Sequence, residues 1–173
     1  MRKNAHLGWL SAGLILFSAS QLPAANLNAG DRHFLIMAAE ANMKEAHLGQ
    51  AAQNQSTDTG VKDLGNTLAQ DHTKAYEQLS MLAAKMGEEI PKGINVAKDA
   101  SLNGILKLKG NQFDRHFLQH EIQDHKKTIA AFRHEAERGQ DADLKAYASQ
   151  MIPSLEKHLN MAQDLAKSTK SGS

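Results

Sequence analysis

The 173-residue sequence contains no cysteine, three prolines and few aromatic residues. Without cysteine the chain can form no disulfide, perform no thiol chemistry and offer no thiolate to a metal. The scarcity of proline and an aromatic share of 5% argue against a β-sandwich or barrel and favour helices. The chain also lacks an excess of one charge, because 20 basic and 19 acidic residues leave a net charge of +1. We therefore expect no nucleic-acid partner. The length suits one domain.

Long apolar runs are missing except close to the N-terminus. Two basic residues, Arg2 and Lys3, precede an apolar stretch at residues 7–17, and small residues follow. This order predicts a signal peptide over residues 1–25, because the apolar run is well short of the roughly 20 residues that a spanning helix needs. We therefore expect no integral membrane span, and we expect the mature protein in the periplasm or the outer envelope.

Glycine and proline divide the rest of the chain into helical segments with apolar side chains at 3- and 4-residue spacing. The predicted helices cover residues 31–54, 58–86, 111–138 and 141–167, with a short helix at 101–108 inside the connection 88–110. We expect Asp31 to cap the first helix. The pattern predicts an all-α four-helix bundle domain over residues 26–167 and a disordered tail at 168–173. It leaves open whether the second and third long helices run parallel.

Each apolar stripe is interrupted near its middle by one ionisable residue: Glu45, His72, His125 or His158. An unpaired charge in an apolar core costs several kcal/mol, so selection for packing alone would not favour four of them. Their positions agree in height to within about one helical turn, and Glu121 lies one turn before His125. Three imidazoles with one or two carboxylates suit a divalent transition metal such as Zn, Fe, Mn or Cu.

Two interpretations of these five residues stay open. In the first, Glu45, His72, Glu121, His125 and His158 bind a metal ion for storage, buffering, sensing or redox chemistry. In the second, they form a metal-free hydrogen-bonded cluster in a structural or stress-related envelope protein. An enzyme is favoured least, because the sequence has no nucleophile elbow or Walker loop, and we assign no catalytic residue. Metal-dependent oxidation of a small molecule stays open.

Two aspartates immediately precede stripe histidines: Asp71 before His72 and Asp124 before His125. Adjacent helical residues differ in direction by about 100°, so these carboxylates should face a neighbouring helix or solvent. Either can also orient an imidazole by accepting its N–H.

Longer segments around these positions occur in a recognisable order. They are EANMKEAHLGQAA, LAQDHTKAYEQL, FDRHFLQHEIQDHKKTIAAF and LKAYASQMIPSLEKHLNMA. This order resembles the exported bacterial proteins of domain-of-unknown-function family 4142, and the resemblance covers about residues 31–165. It implies a ferritin-like four-helix bundle in the bacterial periplasm or outer envelope.

The family motif falls on seven positions of this chain. They are Glu45, His72, Phe113, Asp114, His125, Pro153 and His158. The resemblance supplies no established activity. Di-iron ferritins carry Glu-x-x-His on two helices, whereas Ala69 and Leu155 occupy the glutamate positions before His72 and His158. The sequence therefore does not predict a standard ferroxidase centre.

Overall fold

The computed structural model describes residues 27–171, without the side chains of residues 169–171. Within that range the chain forms four long helices, one short helix and a 3-10 turn. The helices are α1 (Ala29–Gln55), α2 (Thr59–Met86), α3 (Ala100–Ile105), α4 (Gly110–Arg138) and α5 (Ala142–Ser171), and the turn is Val96–Lys98. The predicted all-α bundle with a short helix in its long connection is confirmed. The signal peptide predicted for residues 1–25 lies outside the described residues.

The helix ends follow local side-chain chemistry. Asp58 caps α2 by accepting the N–H of Val61, and Asp141 caps α5 by accepting those of Asp143 and Leu144. At the other end of α2, Gly87 takes a left-handed conformation (φ 72°), which glycine adopts without strain.

Two predicted helix ends are wrong. Asn28, not Asp31, caps α1, because its side chain accepts the N–H groups of Gly30 and Asp31. At the other end of the chain, α5 continues to Ser171 instead of ending near Lys167. No glycine or proline occurs between Pro153 and Gly172 to end the helix earlier. Pro153 itself lies inside α5, whose helix continues through it.

Contacts between helix ends establish the topology. The ion pair Lys85–Asp143 (2.6 Å) joins the end of α2 to the start of α5, so these helices are antiparallel neighbours. Phe34 near the start of α1 packs edge-on against Phe132 near the end of α4, with ring centroids 5.0 Å apart, so α1 and α4 are antiparallel too. Since short turns join α1 to α2 and α4 to α5, α2 and α4 run in the same direction across the bundle.

Residues 87–109 therefore cross the whole length of the bundle, as in ferritin-like folds. The crossover follows α1: Glu88 accepts the Nε–H of Arg32 (3.0 Å), Asp99 pairs with Lys44 (3.0 Å), and the Gln55 side chain donates to the Leu106 carbonyl (3.2 Å). The predicted connection thus positions α4 parallel to α2. None of the helices in residues 27–171 combines the length and apolarity that crossing a bilayer requires.

The apolar core is divided into two clusters along the bundle. One contains Phe34, Leu79 and Phe132 and the other contains Leu48, Leu68 and Phe117, each with neighbours from all four long helices. Buried polar residues occupy the height between them on every long helix. We call this set the polar layer; it consists of Asn42, Glu45, His72, Glu121, His125 and His158.

Gly49 and Gly65 allow α1 and α2 to approach closely. A Cβ atom on Gly49 would lie 2.5 Å from the Gly65 carbonyl oxygen and 2.7 Å from the Ala69 amide nitrogen. Both neighbours are backbone atoms, so only a shift of a whole helix could make room.

We predict that Gly49→Ala destabilises the fold by about 1–3 kcal/mol, because α1 and α2 would have to separate. Gly104→Ala is the matched control, because nothing lies within 4 Å of a Cβ built on this helical glycine. That control should stabilise the protein by up to about 1 kcal/mol. Urea denaturation of both variants measures the effects, and equal shifts would contradict the packing argument.

The carboxylate of Asp31 connects α1 to the turn between α4 and α5. It is buried and accepts the backbone N–H groups of Gln140 (3.1 and 3.2 Å) and Asp141 (2.7 Å). Burial acts to raise the pKa of Asp31, but these N–H groups and the Asn28 side chain outweigh it and leave the pKa below its ordinary value. The turn therefore depends on the ionised carboxylate.

Asp31→Ala should lower the free energy of unfolding by about 1–3 kcal/mol at neutral pH, since the turn loses its acceptor. Asp143→Ala removes a carboxylate from the exposed pair with Lys85 and should cost at most about 1 kcal/mol. The Asp31 contribution should also be lost in acid, as the pH falls through its lowered folded-state pKa. Chemical denaturation at pH 7 and in acid tests both statements.

Candidate metal centre

Three histidine rings from three helices meet in the polar layer. His72 on α2, His125 on α4 and His158 on α5 are each at most 2% exposed. Their ring centroids are 5.7 Å (72–125), 5.2 Å (72–158) and 5.5 Å (125–158) apart. We call them the histidine triad.

A chain of hydrogen bonds sets the protonation of His72. The hydroxyl of Tyr147 donates to the Ala75 carbonyl (3.2 Å), and the Asn42 amide donates to that hydroxyl oxygen (3.0 Å). The Asn42 side-chain oxygen is then the acceptor for Nδ1–H of His72, at 2.9 Å. The Ala75 carbonyl can only accept, so every hydrogen bond in this chain has a fixed donor and acceptor. His72 therefore carries its proton on Nδ1, and its Nε2 has a lone pair.

The other two rings are oriented in the same way by oxygen acceptors. His125 donates Nδ1–H to the backbone carbonyl of Glu121 (3.0 Å), which leaves its Nε2 unprotonated. His158 donates Nε2–H to the carboxylate of Asp71 (2.9 Å), which leaves its Nδ1 unprotonated. An imidazole whose N–H is held by a carbonyl or carboxylate has the orientation and the raised basicity of typical metal-binding histidines.

The remaining nitrogens of the triad have no hydrogen-bond donor from the described residues. They are Nε2 of His72, Nε2 of His125 and Nδ1 of His158, all buried. One ring nitrogen from each histidine lies within 4.8 Å of the other two. Unpartnered buried acceptors are rare and costly, so three of them in one place need an explanation.

The surroundings keep the triad neutral. Burial first, and then the neighbouring His158, lower the pKa of His125 to about 4. The pKa of His72 falls well below its usual value for the same reasons, burial first and then the other two rings. Burial also lowers the pKa of His158, while Asp71 partly opposes the shift. Neutral imidazole is the form that binds a metal ion.

Glu45 on α1 and Glu121 on α4 lie beside the triad, and we call them the carboxyl pair. They are 3% and 1% exposed, and together with His125 they form a second group whose candidate donor atoms lie within 4.8 Å of one another. Oε2 of Glu121 lies 3.3 Å from Nδ1 of His125, the nitrogen that bears the proton. Burial raises the pKa of Glu121 to about 8 and that of Glu45 well above its usual value.

All five candidate ligands proposed from the sequence thus lie in one layer, but they divide into two overlapping groups. The triad and the carboxyl pair are joined through His125. Of the two aspartates, Asp71 orients His158, and Asp124 lies within hydrogen-bonding reach of Glu45.

Sequence reasoning missed Asn42 and Tyr147, which orient His72. A signal for Asn42 was present, because it lies one turn before Glu45 on the same face of α1. The predicted apolar stripe of the first helix included Ala41 in place of Asn42, but Ala41 is the less buried of the two.

Three positions of the family motif lie outside this layer: Pro153 is inside α5, five residues before His158, and the other two are near the start of α4. Phe113 is fully buried at the start of α4, and Asp114 next to it is within hydrogen-bonding reach of Ser56, in the turn between α1 and α2. At 1.5 Å per residue, Asp114 is about 16 Å along α4 from His125. These two residues therefore position the start of α4 and do not contribute to the candidate centre.

Comparison with known proteins agrees with this arrangement of helices. The family described as Domain of unknown function (DUF4142) matches residues 17–165, which include all four long helices up to the last turns of α5. The chain belongs to this family. No protein of curated function matches the sequence. Membership in DUF4142 therefore gives the chain a family without a biochemical role.

Two solved structures share the fold of this DUF4142 chain. A DUF305 fragment from Deinococcus radiodurans superposes with a TM-score of 0.71 at 13% identity, over 82% of this chain and 97% of that one. A "putative secreted protein DUF305 from Streptomyces coelicolor" gives 0.70 at 16% identity, over 82% and 94%. At such low identity the likeness establishes the helical bundle, and the role of the polar layer has to be argued from its own residues.

We predict that the metal-free protein loses stability between pH 6.5 and 8. The folded-state pKa of Glu121 is raised, so its contribution is complete below the unfolded value of 4.5 and is lost as the pH rises to about 8. His125 acts in the opposite direction: its contribution is present above 6.5 and is lost as the pH falls towards about 4. Glu121→Gln should therefore flatten the fall in melting temperature above pH 6.5.

Glu137→Gln on the exposed face of α4 is the matched control and should leave that slope unchanged. Calorimetric melting temperatures at several pH values, in the presence of a chelator, measure the effect. An unaltered slope in Glu121→Gln would show that this carboxyl does not titrate in the folded protein as described.

Proposed function

We propose that the protein binds one divalent transition-metal ion at the histidine triad. The observation that carries the proposal is that three neutral histidines each have a buried, unpartnered ring nitrogen and each place one ring nitrogen within 4.8 Å of the other two. Imidazole nitrogen suits Zn, Cu or Fe, and three protein nitrogens leave a coordination position for a further ligand. Storage, buffering, sensing and redox chemistry all fit such a site.

The hydrogen bonds around the triad support this function. Each ring has its N–H held by an oxygen from the protein: the Asn42 amide, the Glu121 backbone carbonyl or the Asp71 carboxylate. These acceptors fix which nitrogen of each ring is free to bind. The site is therefore arranged before the ion arrives, which reduces the entropic cost of binding.

The alternative function, a metal-free cluster in a structural or stress-related protein, requires the core groups to satisfy one another. The carboxyl pair partly meets that requirement, because Glu121 lies within hydrogen-bonding reach of Glu45. The triad does not meet it, because its three free nitrogens all carry lone pairs and none can donate to another. The triad therefore favours the metal-binding function.

We also propose that the protein is exported to the bacterial periplasm or outer envelope. The basic and apolar pattern of residues 1–25 supports this proposal. The description of the Streptomyces coelicolor DUF305 protein as secreted is in line with it.

Metal-dependent thermal stabilisation tests the triad. We expect Zn²⁺ at 100 times its dissociation constant to stabilise the metal-free wild type by about 2.7 kcal/mol. His125→Ala should show no such gain, because it removes one of the three nitrogens. The readout is the difference in unfolding free energy with and without metal, so a lower starting stability of the variant does not obscure it.

His116→Ala is the matched control, since His116 is an exposed residue on the same helix α4. It should keep the full metal-dependent gain, and metal analysis after dialysis should find one ion in it and less in His125→Ala. If Zn²⁺, Fe²⁺, Mn²⁺ and Cu²⁺ all leave the wild-type melting temperature unchanged, the triad is not a metal site and the metal-free cluster is the better description.

A further inference from the structure

We propose that Glu45, Glu121 and Asp124 form a second divalent-cation site, built of carboxylate oxygens, between the histidine triad and solvent. The proposal rests on the proposed function in one respect: the triad is taken to hold its own ion. It assigns the carboxyl pair to a different ion from the one bound by the histidines.

The position of the carboxyl pair is the first argument for a separate ion. The Glu121 carboxylate lies 3.3 Å from Nδ1 of His125, whereas the free nitrogen of that ring is Nε2. The N–H of Nδ1 is already donated to the Glu121 backbone carbonyl. The Glu121 carboxylate therefore lies beside the protonated nitrogen of His125 and not beside the nitrogen that the ring offers to the triad, so it can bind an ion of its own together with Glu45.

The second argument is that three of the four oxygens of the carboxyl pair are not satisfied by a hydrogen bond of good geometry. Both oxygens of Glu121 and one oxygen of Glu45 are buried and have no hydrogen-bond partner of good geometry. In the part of the chain that the structure describes, no lysine or arginine pairs with either carboxyl group. Buried carboxylates are normally paired or bound to metal, and a divalent ion would satisfy several of these oxygens together.

Asp124 gives the site its third carboxylate and its access to solvent. It is half-buried on α4, it lies within hydrogen-bonding reach of Glu45, and it accepts the Thr128 hydroxyl at 3.5 Å. The three carboxylates thus form a series from the surface to His125. An ion arriving from solvent on this side of the bundle meets oxygen ligands before it meets imidazoles.

The donor atoms indicate the class of ion. Carboxylate and water oxygens suit Mn²⁺, Mg²⁺ or Ca²⁺, whereas imidazoles suit Zn²⁺, Cu²⁺ or Fe²⁺. Two neighbouring groups of different donors therefore predict two ions of different preference. The negative charge of the ionised carboxylates offsets the repulsion between divalent ions in two neighbouring sites.

Titration of Mn²⁺ into protein that already holds one equivalent of Zn²⁺ tests the second site. The electron paramagnetic resonance signal of free Mn²⁺ reports how much ion remains unbound. We expect the wild type to bind one further equivalent. Glu45→Gln and Glu121→Gln should each weaken Mn²⁺ binding about 10- to 100-fold and leave the Zn²⁺ content unchanged.

Glu135→Gln is the matched control, because Glu135 is another buried carboxyl with an unpartnered oxygen. It lies on α4 about 21 Å from Glu121 at 1.5 Å per residue, and its replacement should change neither ion. His158→Ala is the reciprocal variant, and it should lower the Zn²⁺ content while Mn²⁺ still binds.

Each other result has a definite meaning. If wild-type protein with Zn²⁺ binds no Mn²⁺, or if the two glutamine variants bind it as well as wild type does, the second site is disproved. If the variants lose Zn²⁺ instead, the carboxyl pair belongs to the same ion as the triad, and only the second site fails. If Zn²⁺ does not bind to wild type but Mn²⁺ binds in a Glu45-dependent way, the triad proposal fails and the carboxylate site remains.

Discussion

The burial of three uncharged imidazoles at one height of the bundle is the constraint on which the rest of the structure depends. Each ring has to give its N–H to an oxygen, and that oxygen has to come from a position that the helices hold in place. Asn42, Asp71 and the Glu121 carbonyl provide these acceptors from α1, α2 and α4. The polar layer therefore fixes the relative height of the helices, which apolar packing alone would leave less specific.

The apolar clusters on either side exclude water from the polar layer and so shift the pKa values of its residues. Because Phe34 and Phe132 lie on one side and Leu68 and Phe117 on the other, water has little access to the rings. Low access to water lowers the pKa values of the imidazoles and raises those of the carboxyl pair. The bundle thus keeps the imidazoles in the form that binds a cation, whereas the carboxyl pair has to give up protons when it binds one.

The periodicity of the sequence was sufficient to predict the four long helices and the burial of the ionisable residues that interrupt their apolar stripes. Both depend only on spacing along a single helix. Periodicity could not show which oxygen holds each ring, since Asp71 and His158 are 87 positions apart and meet only after α2 and α5 have packed. For the same reason, periodicity could not reveal that the Asp31 carboxylate accepts the backbone N–H of Gln140. Asn42 was missed because alanine at the neighbouring position fits an apolar stripe equally well.

The crossover has a consequence for how the centre is assembled. It is the sole covalent link between the α1–α2 hairpin, which carries Glu45 and His72, and the α4–α5 hairpin, which carries Glu121, His125 and His158. Neither half alone contains the complete donor set, so the pocket exists only after the two halves have docked. A nick at the exposed Gly93 would turn this docking into a bimolecular association, in which a bound ion acts as a cross-link between two otherwise separable peptides.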